Sequence, residues 1–137
     1  MSQNTAPIFT QTPNIGIGTI ATSNSLSPYD MTSGPSSSLF VAGPSGSYIS
    51  KIRVKPSGST VATVLRFFIS SGSTTVAANN TLYAEISLPA ITLSTTLAQN
   101  DFEVPMNIAL PGSYAIYGIA GAHSTGGFKI TTIGGDY

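Results

Sequence analysis

From residue 15 onward the chain is a succession of short alternating runs, separated by clusters of Gly, Pro, Ser and Asn. Ile15, Ile17 and Thr19 alternate with small residues, and a loop over 22–35 follows, carrying Pro28 and Gly34. Leu39-Phe40-Val41 is a brief apolar run closed by Gly43-Pro44-Ser45-Gly46. Over 48–55, Ile52 and Val54 stand opposite Lys51, Arg53 and Lys55. The turn Pro56-Ser57-Gly58-Ser59 leads into 61–69, the most hydrophobic run, and Ser71-Gly72-Ser73 opens a loop to Asn80. A strand is predicted over 82–88, stopped by Pro89, with Ile91 and Leu93 as its extension at an edge. The cleanest alternation covers 101–110: Phe102, Val104, Met106, Ile108 and Leu110 face one way, Asp101, Glu103, Pro105 and Asn107 the other. Pro105 has no N–H to give to a ladder, which predicts an edge strand or a bulge there. Pro111-Gly112 turns into a run over 114–120, and a last run covers 128–133.

Period-two alternation with turn signals at short intervals, and no helical periodicity, predicts an all-β fold. About eight strands suit a two-sheet β-sandwich of the jelly-roll kind. A chain of 137 residues has room for one such domain, read here as 15–137. The segment 1–14 is polar apart from Ile8 and Phe9, and reads as an N-terminal arm that attaches to a partner surface through those two side chains.

Composition narrows the function. Charged residues are 7% of the chain, far below the roughly 25% of an average globular protein, while hydrophobic residues stand at 41%. Disorder needs low hydrophobicity and high net charge, so this chain folds. Five basic residues are too few to displace counterions along a phosphate backbone, so no nucleic-acid partner is expected. Five acidic residues balance them, and a net charge of zero gives copies little repulsion, which suits self-association. The absence of cysteine removes disulfides and thiolate chemistry. The N-terminal segment lacks the pattern of a signal peptide, and no run reaches the roughly 18 apolar residues of a helical membrane span, so no membrane partner is expected. Asn79-Asn80-Thr81 matches a glycosylation acceptor, read as accidental without a secretion signal.

Catalytic chemistry finds little material. His123 is the sole histidine, in a predicted loop, and one histidine with scarce carboxylates makes no metal site; no cofactor is expected. Gly43-Pro44-Ser45-Gly46-Ser47 fails the nucleophile-elbow pattern at its fifth position and lacks the ending of a phosphate loop. Asp101 and Glu103 share an outward strand face, where a solvated or interface role is expected rather than catalysis. Lys51, Arg53 and Lys55 form a basic stripe. It reads either as protection of an exposed edge strand or as a docking stripe for an acidic surface, such as the Asp101/Glu103 face of a second copy. Arg66 interrupts the apolar run Val64-Leu65-Arg66-Phe67-Phe68, and is either buried with Glu85 or another acid, or exposed at a subunit interface. Tyr114 and Tyr117 are candidates for a sugar-binding surface, although most such tyrosines pack on the sheet.

The pattern Lys51-Ile52-Arg53-Val54-Lys55, the run 61–69, the stretch from Asn79-Asn80-Thr81-Leu82-Tyr83 to Leu88-Pro89, and the closing Ile133-Gly134-Gly135-Asp136-Tyr137 carry a resemblance. From about residue 48 onward the chain resembles small virion structural proteins of tailed bacteriophages, similar to capsid decoration or cement proteins. The resemblance implies a non-enzymatic, β-rich homotrimer, made in the host cytoplasm, that binds the major capsid protein on the outside of the head and stabilises it. The main rival is a receptor- or carbohydrate-binding tail-fibre head domain. Fourteen polar residues are short for a fibre shaft. A free carbohydrate-binding module is a third reading, weakened by the lack of Trp.

Overall fold

The computed structural model describes residues 9–122 and 127–137. Eight strands follow one another: β1 (Thr12–Ile20), β2 (Ser37–Val41), β3 (Ser47–Pro56), β4 (Thr63–Ser70), β5 (Asn80–Leu88), β6 (Phe102–Leu110), β7 (Ala115–Ala120) and β8 (Phe128–Asp136). Among the described residues, helix is limited to a 3₁₀ turn at Ala77–Asn79. All the ladders between these strands are antiparallel.

The topology follows from folding one long ribbon in half. β4 pairs with β5, β3 with β6, β2 with β7 and β1 with β8, as in a single extended hairpin. Rolling that ribbon brings β3 against β8 and β4 against β7, and divides it into two sheets, β1-β8-β3-β6 and β2-β7-β4-β5. That is the eight-stranded jelly roll, a two-sheet sandwich, as the alternation predicts.

The core lies between the sheets. Ile49, Ile52 and Val54 of β3, Leu65 and Phe67 of β4, Ile116 of β7 and Phe128 and Ile130 of β8 are buried there. Each such side chain contributes about 2–3 kcal/mol by leaving water. Ile49 and Ile52 both point inward although three positions separate them. Ser50 resolves the parity: it has no counterpart on β8, and on β6 it faces two residues, Met106 and Asn107. Asn107 takes φ of 50° in this bulge, and β6 is an edge strand, so both readings of Pro105 hold.

Four local expectations are corrected. β1 begins at Thr12, so the last three residues of the segment read as an arm are strand. β4 starts at Thr63, leaving Val61 half-exposed before it. Ile91 does not extend β5; it pairs with Thr60 in an isolated antiparallel bridge outside the eight strands. β3 is flanked by β8 and β6, so its basic stripe protects no edge.

The sheets close by contact between β1 and β2. A β-carbon on Gly16 would lie 2.0 Å from the Leu39 carbonyl oxygen, and one on Gly18 would lie 2.7 Å from Leu39 Cδ2. Gly16, Gly18 and the buried Ile20 therefore face inward, and Ile15 and Ile17 outward. Ile15 is 57% exposed and Ile17 80%.

Candidate functional site

The two sheets carry contrasting outer faces, and the predicted site residues divide between them. On the β1-β8-β3-β6 sheet the strand registers place Ile15, Ile133 and Lys51 in one row, then Ile17, Thr131, Arg53 and Glu103, then Thr19, Lys129 and Lys55. One end of this face is apolar and the other ionic.

The ionic end interleaves the stripe with the two acids. Lys51 Nζ lies 3.1 Å from Glu103 Oε1, Arg53 Nε 3.2 Å from the same oxygen, and Arg53 Nη2 2.8 Å from Asp101 Oδ2. Lys55 Nζ meets the other Asp101 oxygen and also donates to the Gln99 carbonyl at 3.2 Å. The hydrogen bond from Lys55, helped by the charges of Lys55 and Arg53, holds the Asp101 carboxyl below its ordinary value. The stripe thus finds acidic partners within its own chain. These side chains are roughly 40–50% exposed, so each pair adds little to stability. Lys129 lies beside the ladder with its Nζ donating to Thr19 Oγ1 at 2.9 Å, and no carboxylate answers it among the described residues. Four cations against two carboxylates leave this face with two excess positive charges. Arg53, Lys55 and Lys129 with Thr131 and Ile133 line a shallow hollow of about 320 Å³.

The β2-β7-β4-β5 sheet is covered from outside by the loop 21–36. Met31, at φ of 59°, seats on Phe68 and Ile119, and all three are buried in a second small cluster. Asn24 holds the loop's shape. Fully buried, it donates through Nδ2 to the Ser33 and Pro35 carbonyls at 2.8 and 3.1 Å, and its Oδ1 accepts from the Leu26 and Ser27 N–H groups, each at 3.1 Å. Its own N–H bonds the Ala120 carbonyl at 2.9 Å and fastens the loop to β7.

Arg66 lies under this loop, apart from the other predicted residues. Its side chain is 12% exposed, its Nε donates to Glu85 Oε1 at 2.7 Å, and its Cζ lies 4.8 Å from the centre of the Tyr29 ring. Of the two fates expected for Arg66, pairing with Glu85 is the one found. Beside it opens a cleft of about 610 Å³, whose lining includes Pro28, Tyr29, Val64, Arg66, Leu88 and Gly121. The sequence reading missed Tyr29 and this cleft. The available signal was a tyrosine directly after a proline in a long loop, which says nothing about what the loop packs against. Tyr114 and Tyr117 are elsewhere: Tyr114 packs on the main core and Tyr117 on the Phe68 cluster.

A third constellation joins strand ends. Asp136 Oδ1 accepts from Asn14 Nδ2 at 2.9 Å and from Ser47 Oγ, while Ser47 Oγ accepts from the Gly43 N–H at 2.9 Å. These hydrogen bonds, led by that from Ser47, hold the Asp136 carboxyl below its ordinary value. The network ties β1, β3 and β8 to the turn after β2 and is structural.

Phe9 is 74% exposed ahead of β1, while Ile8 and His123 lie outside the described residues. Among the described residues no three His, Asp or Glu side chains come together as metal ligands. The chain matches no family model, no curated protein and no solved structure.

Proposed function

We propose that the protein is a non-enzymatic structural protein of a tailed-phage virion, a capsid decoration or cement protein. In this reading it binds the major capsid protein on the outer surface of the head, as a homotrimer, and stabilises the shell. The observation that carries the reading is the uncovered face of the β1-β8-β3-β6 sheet. Ile15 and Ile17 stand there in water beside an ion ladder that, together with Lys129, leaves two positive charges over. Exposed apolar residues next to charge, on a rigid sheet and in a chain of zero net charge, suit docking to a large surface. The resemblance of residues 48–137 to phage structural proteins supplies the particle. The jelly roll supports it at the level of architecture, because capsid proteins and lectins both use that fold.

Immunogold labelling of purified particles tests this directly. Gold over the head is the expected result. Gold confined to the tail tip would favour a receptor-binding head domain, a reading to which the cleft beside Tyr29 gives some support. Unlabelled particles would overturn both. The arm is tested on undecorated capsids by deleting residues 2–9. A deletion through residue 14 would also remove the start of β1 and the Asn14 amide that bonds Asp136.

A further inference from the structure

The cleft under the loop 21–36 has the construction of a ligand site, and it lies on the sheet opposite the proposed docking face. Its volume of about 610 Å³ falls within the roughly 300–1,000 Å³ common for small-molecule pockets. Its shape does not depend on the ligand, because the buried Asn24 amide pins the loop through four hydrogen bonds. Its lining is largely apolar, Val64, Pro28 and Leu88 among it, and includes the hydroxyl residues Ser25 and Ser87.

Two groups give the cleft its chemistry. The Arg66 guanidinium is largely buried, yet among the described residues it makes one hydrogen bond, from Nε to Glu85. Among the described residues no hydrogen bond engages its terminal nitrogens. Gly121 leaves one of them open to the cleft: a β-carbon there would come within 3.4 Å of Arg66 Nη1. A guanidinium with free terminal N–H groups in apolar surroundings matches a carboxylate. Tyr29 supplies the second group. One face of its ring receives Arg66, and the residue is 66% exposed, so the remaining ring surface can stack on a flat or ring-shaped partner.

We infer that this cleft binds a small organic carboxylate carried on a ring, with the carboxylate on Arg66 and the ring against Tyr29. The ring belongs either to an acidic saccharide or to an aromatic acid. The inference holds whether the protein sits on the head or at the tail.

Calorimetric titration of the full chain with galacturonate, its neutral methyl ester, galactose and benzoate tests it. At least one of the two acids should bind about tenfold or more tightly than the neutral sugars, as expected for a charge-assisted hydrogen bond. Preference for galacturonate over benzoate identifies the acidic saccharide as the ligand class, and the reverse identifies the aromatic acid. Arg66→Lys keeps the charge but loses the fork, and should weaken the acid by about tenfold. Should that variant fail to fold, Gly121→Val keeps Arg66 and Glu85 and fills the space before Nη1. A β-carbon at Gly121 meets backbone atoms no closer than 3.5 Å, so Gly121→Ala, which adds that atom alone, should unfold at the temperature of the parent, and Gly121→Val should bind the acid at least about tenfold more weakly. Equal binding of acid and neutral forms, undiminished binding by Gly121→Val, or no binding of either acid would overturn the inference.

Discussion

The outer faces of the two sheets began with a similar problem and ended differently. β4 carries apolar residues on both of its faces, with Leu65 and Phe67 turned to the sandwich core and Phe68 turned away from it. The loop 21–36 folds over Phe68 and buries it under Met31, so that a strand's second face becomes a small core of its own. β1 also carries apolar residues on its outer face, Ile15 and Ile17, and nothing in the described chain covers them. An apolar side chain on a strand's second face therefore marks either an internal cover or an open surface. Alternation by itself does not distinguish the two, because the distinction lies in where a distant loop comes to rest.

The contrast can be broken most severely at its covered side. Phe68→Ala should cost about 3–5 kcal/mol in denaturant unfolding, the range for emptying an aromatic site in a packed cluster. A cost below about 1 kcal/mol would mean that the loop is not a working cover. Asn24→Ala attacks the same cover through its anchor. It strips partners from the Leu26 and Ser27 N–H groups and the Ser33 and Pro35 carbonyls, and should cost about 2 kcal/mol. Limited proteolysis should then cut within 21–36, while the wild-type loop resists.

Acid sharpens the contrast from the strand ends. The Asp136 carboxyl holds a proton less readily in the folded chain than in the unfolded one. Its contribution is therefore complete above the ordinary value of 3.8, and is lost as pH falls through the lower folded value. Asp101 acts in the same direction through its Lys55 and Arg53 contacts. Thermal unfolding followed from about pH 5 to about pH 2 should show falling stability, with a flatter limb in Asp136→Asn. A variant as acid-sensitive as the parent would remove Asp136 from the explanation.

The smallest effects belong to the open face. Ile17→Ser should change unfolding by no more than about 0.5 kcal/mol, since the side chain is already in water, while under the proposed function it weakens attachment to undecorated capsids. Lys51→Ala should likewise cost no more than about 0.5 kcal/mol, and added salt should erase the difference. A large loss of stability in either variant would show that this face is covered in the folded protein after all.

Much of the architecture was legible as sequence. Each of the eight strands overlaps one of the runs read from the sequence, because inward and outward positions differ in hydrophobicity wherever one face of a sheet meets the core. The run 101–110 shows this best, with Val104, Met106 and Leu110 buried and Glu103, Pro105 and Asn107 exposed. The low charge and the placement of Lys51, Arg53 and Lys55 on one strand face were local properties as well. What tertiary structure alone decided is what each outward residue meets. Asp101 and Glu103 reach the basic stripe across some fifty residues of chain, because the rolled ribbon sets β6 beside β3. Arg66 meets Tyr29 and borders a cleft because a loop between β1 and β2 crosses the opposite sheet. Gly16 and Gly18 face inward because the two sheets close on Leu39, which turns Ile15 and Ile17 to the outside. Alternation records burial one strand at a time, whereas partners are assigned by contacts between segments far apart in the chain, and those depend on how the ribbon rolls.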